Sequence, residues 1–184
     1  MFINAKIETI RLILRPYCLE DVDDIYTIVN ENDFYQYIPE EVPTHEDVKK
    51  IIEWSIKQNQ RNTADKIYKF TNAIIHKKDN KIIGYCGLGP DDLGMGQIEL
   101  YYGISSEYRR LGLAREAARA IIKYGFEVIG LDRIVAFVHY ENLSSLKLLE
   151  SLGMSYHFRI NNLDDENKNF DGHCYYTITK QQFK

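Results

Sequence analysis

The chain has 184 residues, enough for one domain of ordinary size that buries roughly 70% of its unfolded surface without a metal or disulfide staple. Its 23 basic and 27 acidic residues leave a formal charge of -4, which argues against a nucleic-acid platform with its basic face. Cys18, Cys86 and Cys174 are odd in number and lack C-x-x-C spacing, so each reads as a small apolar residue in a reducing compartment, not as a nucleophile.

The opening MFINAKIETIRL lacks the apolar core of a signal peptide, and no apolar run reaches the roughly 18 residues of a membrane span. The expectation is a soluble cytoplasmic protein, monomer or homodimer, with neither membrane nor nucleic acid among its partners.

Residues 7–16, IETIRLILRP, alternate leucine with β-branched residues and predict a first strand that Pro16 ends. Over 20–30, Val22, Ile25, Tyr26 and Val29 recur at helical spacing behind a first turn of acids, where the helix dipole favours them. Residues 32–43 read as irregular and aromatic, with Phe34, Tyr35 and Tyr37. Thr44 and Asp47 resemble a capping box that opens a second helix with Val48, Ile51, Ile52 and Ile56 on one face, and 57–66 reads as polar loop.

Segments 67–76 and 81–88 predict a hairpin about Asp79-Asn80, a pair tolerant of left-handed backbone, and 89–96 reads as loop. Residues 97–104 predict a strand. Ala114, Ala117, Ala118, Ile121, Ile122, Gly125, Val128 and Ile129 then mark the apolar face of a long helix. Residues 133–139 are apolar enough for a central strand, 143–152 predict a helix stopped by Gly153, and 154–160 with 173–179 predict a last strand pair. The polar connection 161–172 is long for a hairpin, which makes it a candidate substrate lid or dimer contact. The order β-α-α-β-β-β-α-β-α-β-β describes a single mixed α/β (α+β) domain over 1–184.

The segment between the 97–104 strand and the long helix carries the chemistry. Arg109-Arg110-Leu111-Gly112-Leu113-Ala114 sets two guanidinium groups and a glycine just before a helix N-terminus. Unpaired N–H groups and the positive dipole end make such a terminus ready for an anion, and successive N–H groups of the turn form a concave nest. No G-x-x-x-x-G-K-[ST] or G-x-G-x-x-G is present. The reading is a pyrophosphate site at a strand–helix junction.

Arg-x-x-Gly-x-Ala resembles the acetyl-CoA pyrophosphate loop of the GNAT superfamily of N-acetyltransferases, written [QR]-x-x-G-x-[GA]. A second block, Asn142 to Met154, is similar to that family's N-x-x-S-x-x-[LV]-x-x-x-x-G-[FM]. The opening Thr9-Ile10-Arg11-Leu12-Ile13-Leu14-Arg15-Pro16 with Asp21 resembles the ribosomal-protein N-terminal acetyltransferase branch, except that Cys18 stands where Thr or Ser commonly caps the first helix. The resemblance covers nearly the whole chain. It implies a twisted, mostly antiparallel GNAT sheet of roughly six to seven strands flanked by about four helices. The sheet splays between the fourth and fifth strands, often at a β-bulge.

The resemblance also implies acetyl-CoA as cofactor and direct attack of a primary amine in a ternary complex. Backbone from Leu111 to Arg115 (Leu111, Gly112, Leu113, Ala114, Arg115), with Arg109 and Arg110, would grip the diphosphate. Tyr102, Gly103 and Ile104 would pair with pantetheine as a pseudo-strand and polarise the thioester. Asn142 would bond the pantetheine amides or only cap its helix, and Ser145 would meet the leaving sulfur. Leu149 stands where many members carry a tyrosine acid.

From its own surroundings, Glu99 is the candidate base: a carboxylate among Ile98, Leu100 and Tyr101 is desolvated toward a higher pKa, though a strand-end Glu facing solvent or pairing with an Arg is an equal reading. Tyr35, Tyr37 and Tyr140 are candidates for the acceptor cleft, with Trp54 and His139 behind them. The five histidines show no paired-ligand spacing, so no metal is expected. The acceptor stays open between a protein N-terminus and a small amine such as an amino acid, polyamine or aminoglycoside, and a non-catalytic acyl-CoA-binding module is the competing class.

Overall fold

The computed structural model describes residues 1–38, 40–165 and 167–184. Its strands are β1 (Ile7–Glu8), β2 (Leu12–Pro16), β3 (Phe70–His76), β4 (Lys81–Pro90), β5 (Ile98–Ile104), β6 (Arg133–His139), β7 (Ser155–Arg159) and β8 (His173–Thr179). They form one sheet in the order β1-β2-β3-β4-β5-β6-β8-β7. Neighbours run antiparallel except β5 and β6, whose connection crosses over through a helix and leaves them parallel.

The helices are α1 (Val22–Val29), α2 (His45–Arg61), α3 (Leu113–Tyr124) and α4 (Leu143–Ser151). On one side of the sheet Val22, Ile25, Ile28 and Val29 of α1 pack with Val48 and Ile52 of α2 against Tyr85. On the other, Leu113, Ala117, Ala118, Ile121 and Ile122 of α3 join Leu88, Leu100, Ile134 and Leu149 in a larger core. Each isoleucine removed from water there contributes about 1.5–3 kcal/mol.

The mixed α/β architecture with four helices is as expected, and the sheet holds eight strands instead of six to seven. The extra strand comes from residues 7–16, which fold back on themselves. The Thr9 N–H donates to the Leu12 carbonyl at 3.0 Å, and the Thr9 hydroxyl accepts from the Leu12 N–H at 3.0 Å. These local bonds turn the chain at Ile10, which is 93% exposed, and periodicity alone does not reveal them.

Two helix expectations also shift. The stretch read as loop from residue 57 continues α2 to Arg61, because Lys, Gln and Arg sustain a solvent-facing turn without apolar partners. Ile51, expected on the buried face, is half exposed. Beyond Tyr124 the helix widens into a π turn, Gly125–Ile129, in which the Gly130 N–H donates to the Gly125 carbonyl. The extra residue in that turn rotates Val128 off the core face and into solvent. The hairpin turn at Asn80 is left-handed, with φ +51°, as that residue type allows.

Candidate active site

Although β5 and β6 are each seven residues long, they pair at one position, Glu99 opposite Val135. Beyond it the strands part. The β6-facing backbone of β5 from Leu100 to Ile104 therefore lacks a strand partner, while its other edge stays in register with β4, Ile98 against Pro90 through Ile104 against Gly84. The expected splay is present, but without a bulge in β5; the register shift in this part of the sheet lies between Ile74 and Ile75 of β3. The gap opens toward the C-terminal ends of two parallel strands, where α3 and α4 begin, the place where parallel sheets receive ligands.

At the start of α3, Gly112 is the N-cap with φ +75°, and Arg110 is also left-handed at φ +62°. Alternating hand turns successive N–H groups toward one side, and the first-turn amides of Leu113, Ala114 and Arg115 have no intrahelical partner. This cradle suits a diphosphate. Arg110 is exposed and has no charged partner among the described residues.

Arg109 departs from expectation. Its guanidinium binds the Asp33 carboxylate, lies 3.7 Å from Glu31, and donates to the Ile104 carbonyl at 3.3 Å. Its guanidinium is engaged by two carboxylates of the connection that follows α1, and the residue lines the cavity. Arg115 likewise donates to Ser151 on α4.

The loop is braced from behind. Glu116 accepts from the Thr9 hydroxyl, the Arg11 N–H and the Arg11 Nε, at 2.6, 2.8 and 2.7 Å, and Arg11 also donates to the Leu111 carbonyl at 2.8 Å. Arg15 forms a two-pronged pair with the buried Asp21, whose carboxylate also accepts the Cys18 N–H at 2.9 Å. Asp21 thus supplies the local bond that Cys18 makes poorly. The polar residues shared with the ribosomal-protein branch are braces, and none of them lines the cleft.

A cavity of 890 Å³ runs from the cradle across the splay to α2. On its floor Glu99 stands opposite Gly89 of β4, and Tyr101 opposite Gly87. A Cβ on Gly87 would lie 2.5 Å from the Tyr101 hydroxyl, so the missing side chain lets Tyr101 cross the strand and reach the Thr71 hydroxyl at 2.7 Å. Lys69 lies over Gly89 in the same way, its Cδ 3.2 Å from where a Cβ would be, with its ammonium 4.0 Å above the Tyr101 ring.

Burial pushes the Glu99 carboxyl up to about 8; the Asp92 charge adds to the rise, while Lys69 and the Phe137 backbone oppose it. Burial also lowers the Lys69 ammonium, against the pull of Asp92, Glu99 and Glu40. Cys18 is raised to about 11 by burial, and Cys86 and Cys174 are raised too, so none of the three is a ready thiolate.

Tyr102 faces the α4 side. Its buried hydroxyl lies beside Ser145 and makes no hydrogen bond of normal geometry among the described residues. Asn142 caps α4, its side-chain oxygen accepting the Ser145 N–H at 3.1 Å, which is the capping alternative realised for that atom. Leu149 is fully buried in the core. At Gly103 a Cβ would come within 2.4 Å of Phe34, so that glycine makes room for a ring of this chain.

Of the acceptor candidates, Tyr35, Tyr37, Trp54 and His139 line the cavity, with Tyr37 stacked on His139 at 5.8 Å. Phe170, from the 161–172 connection, lines it as well. Tyr140 does not: Arg159 covers its ring at 3.6 Å and its hydroxyl donates to Glu141. Lys69 and Asp33 are not legible as site residues, since Lys69 is one polar residue at the start of an apolar predicted strand, 67–76, with no motif around it. The signal that points to Lys69 is the pair Gly87 and Gly89, alternate residues whose missing side chains clear one face of β4. Among the described residues no helix is long and apolar enough to cross a membrane.

Residues 11–155 match the acetyltransferase (GNAT) domain family. The chain is 30% identical over 148 residues to the N-acetyltransferase YnaD of Bacillus subtilis (strain 168), covering 80% of this chain and 81% of that protein. Its fold is similar to that of a GNAT-family acetyltransferase from Bacillus anthracis, with TM-score 0.80 and 24% identity over 96% of this chain and 99% of the other. The ribosomal-protein-S5-alanine acetyltransferase from Vibrio fischeri is similar at TM-score 0.80 and 20% identity, covering 98% and 100% of the two chains. A phosphate cradle, a parted sheet and a family match over most of the chain agree: this protein belongs to the GNAT family and is an acetyl-CoA-dependent N-acetyltransferase.

Proposed function

We propose that the acceptor is an α-amine, attacked directly while both substrates are bound, with Glu99 as the base. The observation that carries this is the Glu99 carboxyl, raised to about 8 at the point where β5 and β6 part. A peptide α-ammonium has a pKa of about 7.7–8.0, so a carboxylate of that basicity accepts its proton at little cost. A lysine ε-ammonium near 10.4 lies roughly two units beyond that match.

Bound acetyl-CoA supplies the acetyl group as a thioester with a moderately good leaving group. The amides of Gly112, Leu113, Ala114 and Arg115, with the Arg110 side chain, hold the diphosphate. The freed edge at Tyr102, Gly103 and Ile104 takes the pantetheine backbone, and an N–H there polarises the reacting carbonyl. Glu99 takes the ammonium proton, the new N–C bond forms as C–S breaks, and the Ser145 hydroxyl donates a hydrogen bond to the departing sulfur. Tyr35 and Tyr37 wall the acceptor side. With Leu149 in place of a tyrosine, and raised thiol pKa values at all three cysteines, neither a phenol at that position nor an acyl-cysteine route is used.

Kinship with the ribosomal-protein branch favours a protein N-terminus, but the shared residues Thr9, Arg11, Arg15 and Asp21 brace the fold and do not touch the acceptor side. The test is amine-dependent release of free thiol from acetyl-CoA, with α-amines beside ε-amines, polyamines and aminoglycosides. Glu99→Gln is expected to lower kcat/KM by about 10²–10⁴ and to leave only the rise in rate that follows the amine's own titration. Faster turnover of the non-α amines overturns the acceptor class. Tight acetyl-CoA binding with no thiol release from any amine makes the chain a binding module instead.

A further inference from the structure

We propose that Lys69 is a specificity residue that binds an anionic group next to the acceptor's amine, making the acceptor a free α-amino acid, not a polypeptide N-terminus. This rests on the reading of Glu99 as the base for an α-amine.

Three observations place Lys69 in that role. It lines the cleft with Glu99, Tyr101 and Trp54. It lies over Gly89, the cross-strand partner of Glu99, so the two side chains are neighbours on one face of the sheet. Its ammonium is held by rings alone, 4.0 Å from the Tyr101 centroid and 5.9 Å from that of Trp54. Among the described residues no carboxylate comes within 4.0 Å of it.

A cation taken partly out of water and left without a paired anion is costly unless a ligand completes it. Asp92, Glu99 and Glu40 act on it only through space. In an α-amino acid, amine and carboxylate share one carbon, which matches a base and a cation side by side, and a carboxylate paired with Lys69 no longer raises its own ammonium beyond the reach of Glu99. A peptide N-terminus offers a neutral carbonyl at that place, and an amine without a carboxylate offers nothing. A hydrogen bond between charged partners outweighs one to a neutral group by a margin that corresponds to roughly tenfold or more in affinity.

The experiment measures thiol release by the full chain with acetyl-CoA and matched pairs: leucine, methionine and phenylalanine, each as the free acid and as its carboxamide, beside a short peptide. At one pH near neutrality, with each rate referred to the neutral fraction of its amine, the wild type is expected to favour the acids at least tenfold in kcat/KM, chiefly through KM. Lys69→Met is expected to collapse that ratio toward one, and Lys69→Arg to keep most of it. Carboxamides or the peptide turned over as well as the acids by the wild type overturn this proposal and leave the α-amine reading standing. An unchanged ratio in Lys69→Met overturns it too. Absence of turnover with every amine removes both readings together. Should Lys69→Met not fold, the wild-type preference decides.

Discussion

Arg11 and Glu116 are 105 positions apart in sequence and bonded Nε to Oε2 at 2.7 Å, which ties the turn between β1 and β2 to the first turn of α3. A second arm of the same arginine holds the Leu111 carbonyl, inside the phosphate loop. The pair fixes the curvature of the cradle without touching what the cradle holds. Arg11→Ala is therefore expected to weaken acetyl-CoA binding by roughly three- to thirtyfold with kcat little changed, since a few hydrogen bonds to a charged group are lost. Calorimetry on the two proteins checks it, and equal affinities would show that the loop holds its shape unaided.

Gly112 separates the needs of the fold from those of the ligand. A Cβ there meets nothing closer than the Arg11 guanidinium at 3.6 Å, so Gly112→Ala is strained only through its φ of +75°. About 1 kcal/mol of stability should be lost, a fall in Tm of a few degrees. The same strain shifts the left-handed turn and misaligns the N–H groups of the cradle, and affinity for acetyl-CoA should drop at least about tenfold. A variant that melts lower but binds acetyl-CoA normally would place the diphosphate elsewhere.

Gly87 behaves differently. A Cβ there lies 2.5 Å from the Phe70 carbonyl and 2.5 Å from the Tyr101 hydroxyl, and the first of these is backbone that cannot swing aside. Gly87→Ala should cost about 2–3 kcal/mol and break the Thr71–Tyr101 bond. Chemical denaturation measures the loss; a change below about 0.5 kcal/mol would mean that β3 and β4 separate easily.

The raised pKa of Glu99 has a cost for stability, whose sign follows from linkage. The folded chain holds this proton up to about 8, whereas an exposed glutamate releases it near 4.5. The native state therefore binds more protons between those values, and stability falls as pH rises through that window. Glu99→Gln removes the effect, so the variant should gain on the order of 1–3 kcal/mol over wild type at pH 9 and nothing at pH 4. A pair of melting curves at the two pH values decides it, and a difference independent of pH would place Glu99 in water.

The sequence alone carried most of the order of elements, the mixed α/β class and the family, because each is written in local periodicity or in a short run of adjacent residues. Ala117, Ala118, Ile121 and Ile122 mark the buried face of α3 whatever they pack against, and Gly112 marks its left-handed N-cap. What only the tertiary structure decided is which long-range partner each charge finds. Arg109 spends its charge on Asp33, Tyr140 lies under Arg159, and Asn142 turns its oxygen to its own helix. Lys69 comes to lie over Gly89, opposite Glu99 and unpaired, through a glycine that belongs to a third segment. Such pairings depend on strand register and on cleared space between residues distant in the chain, and neither quantity exists until the sheet is assembled.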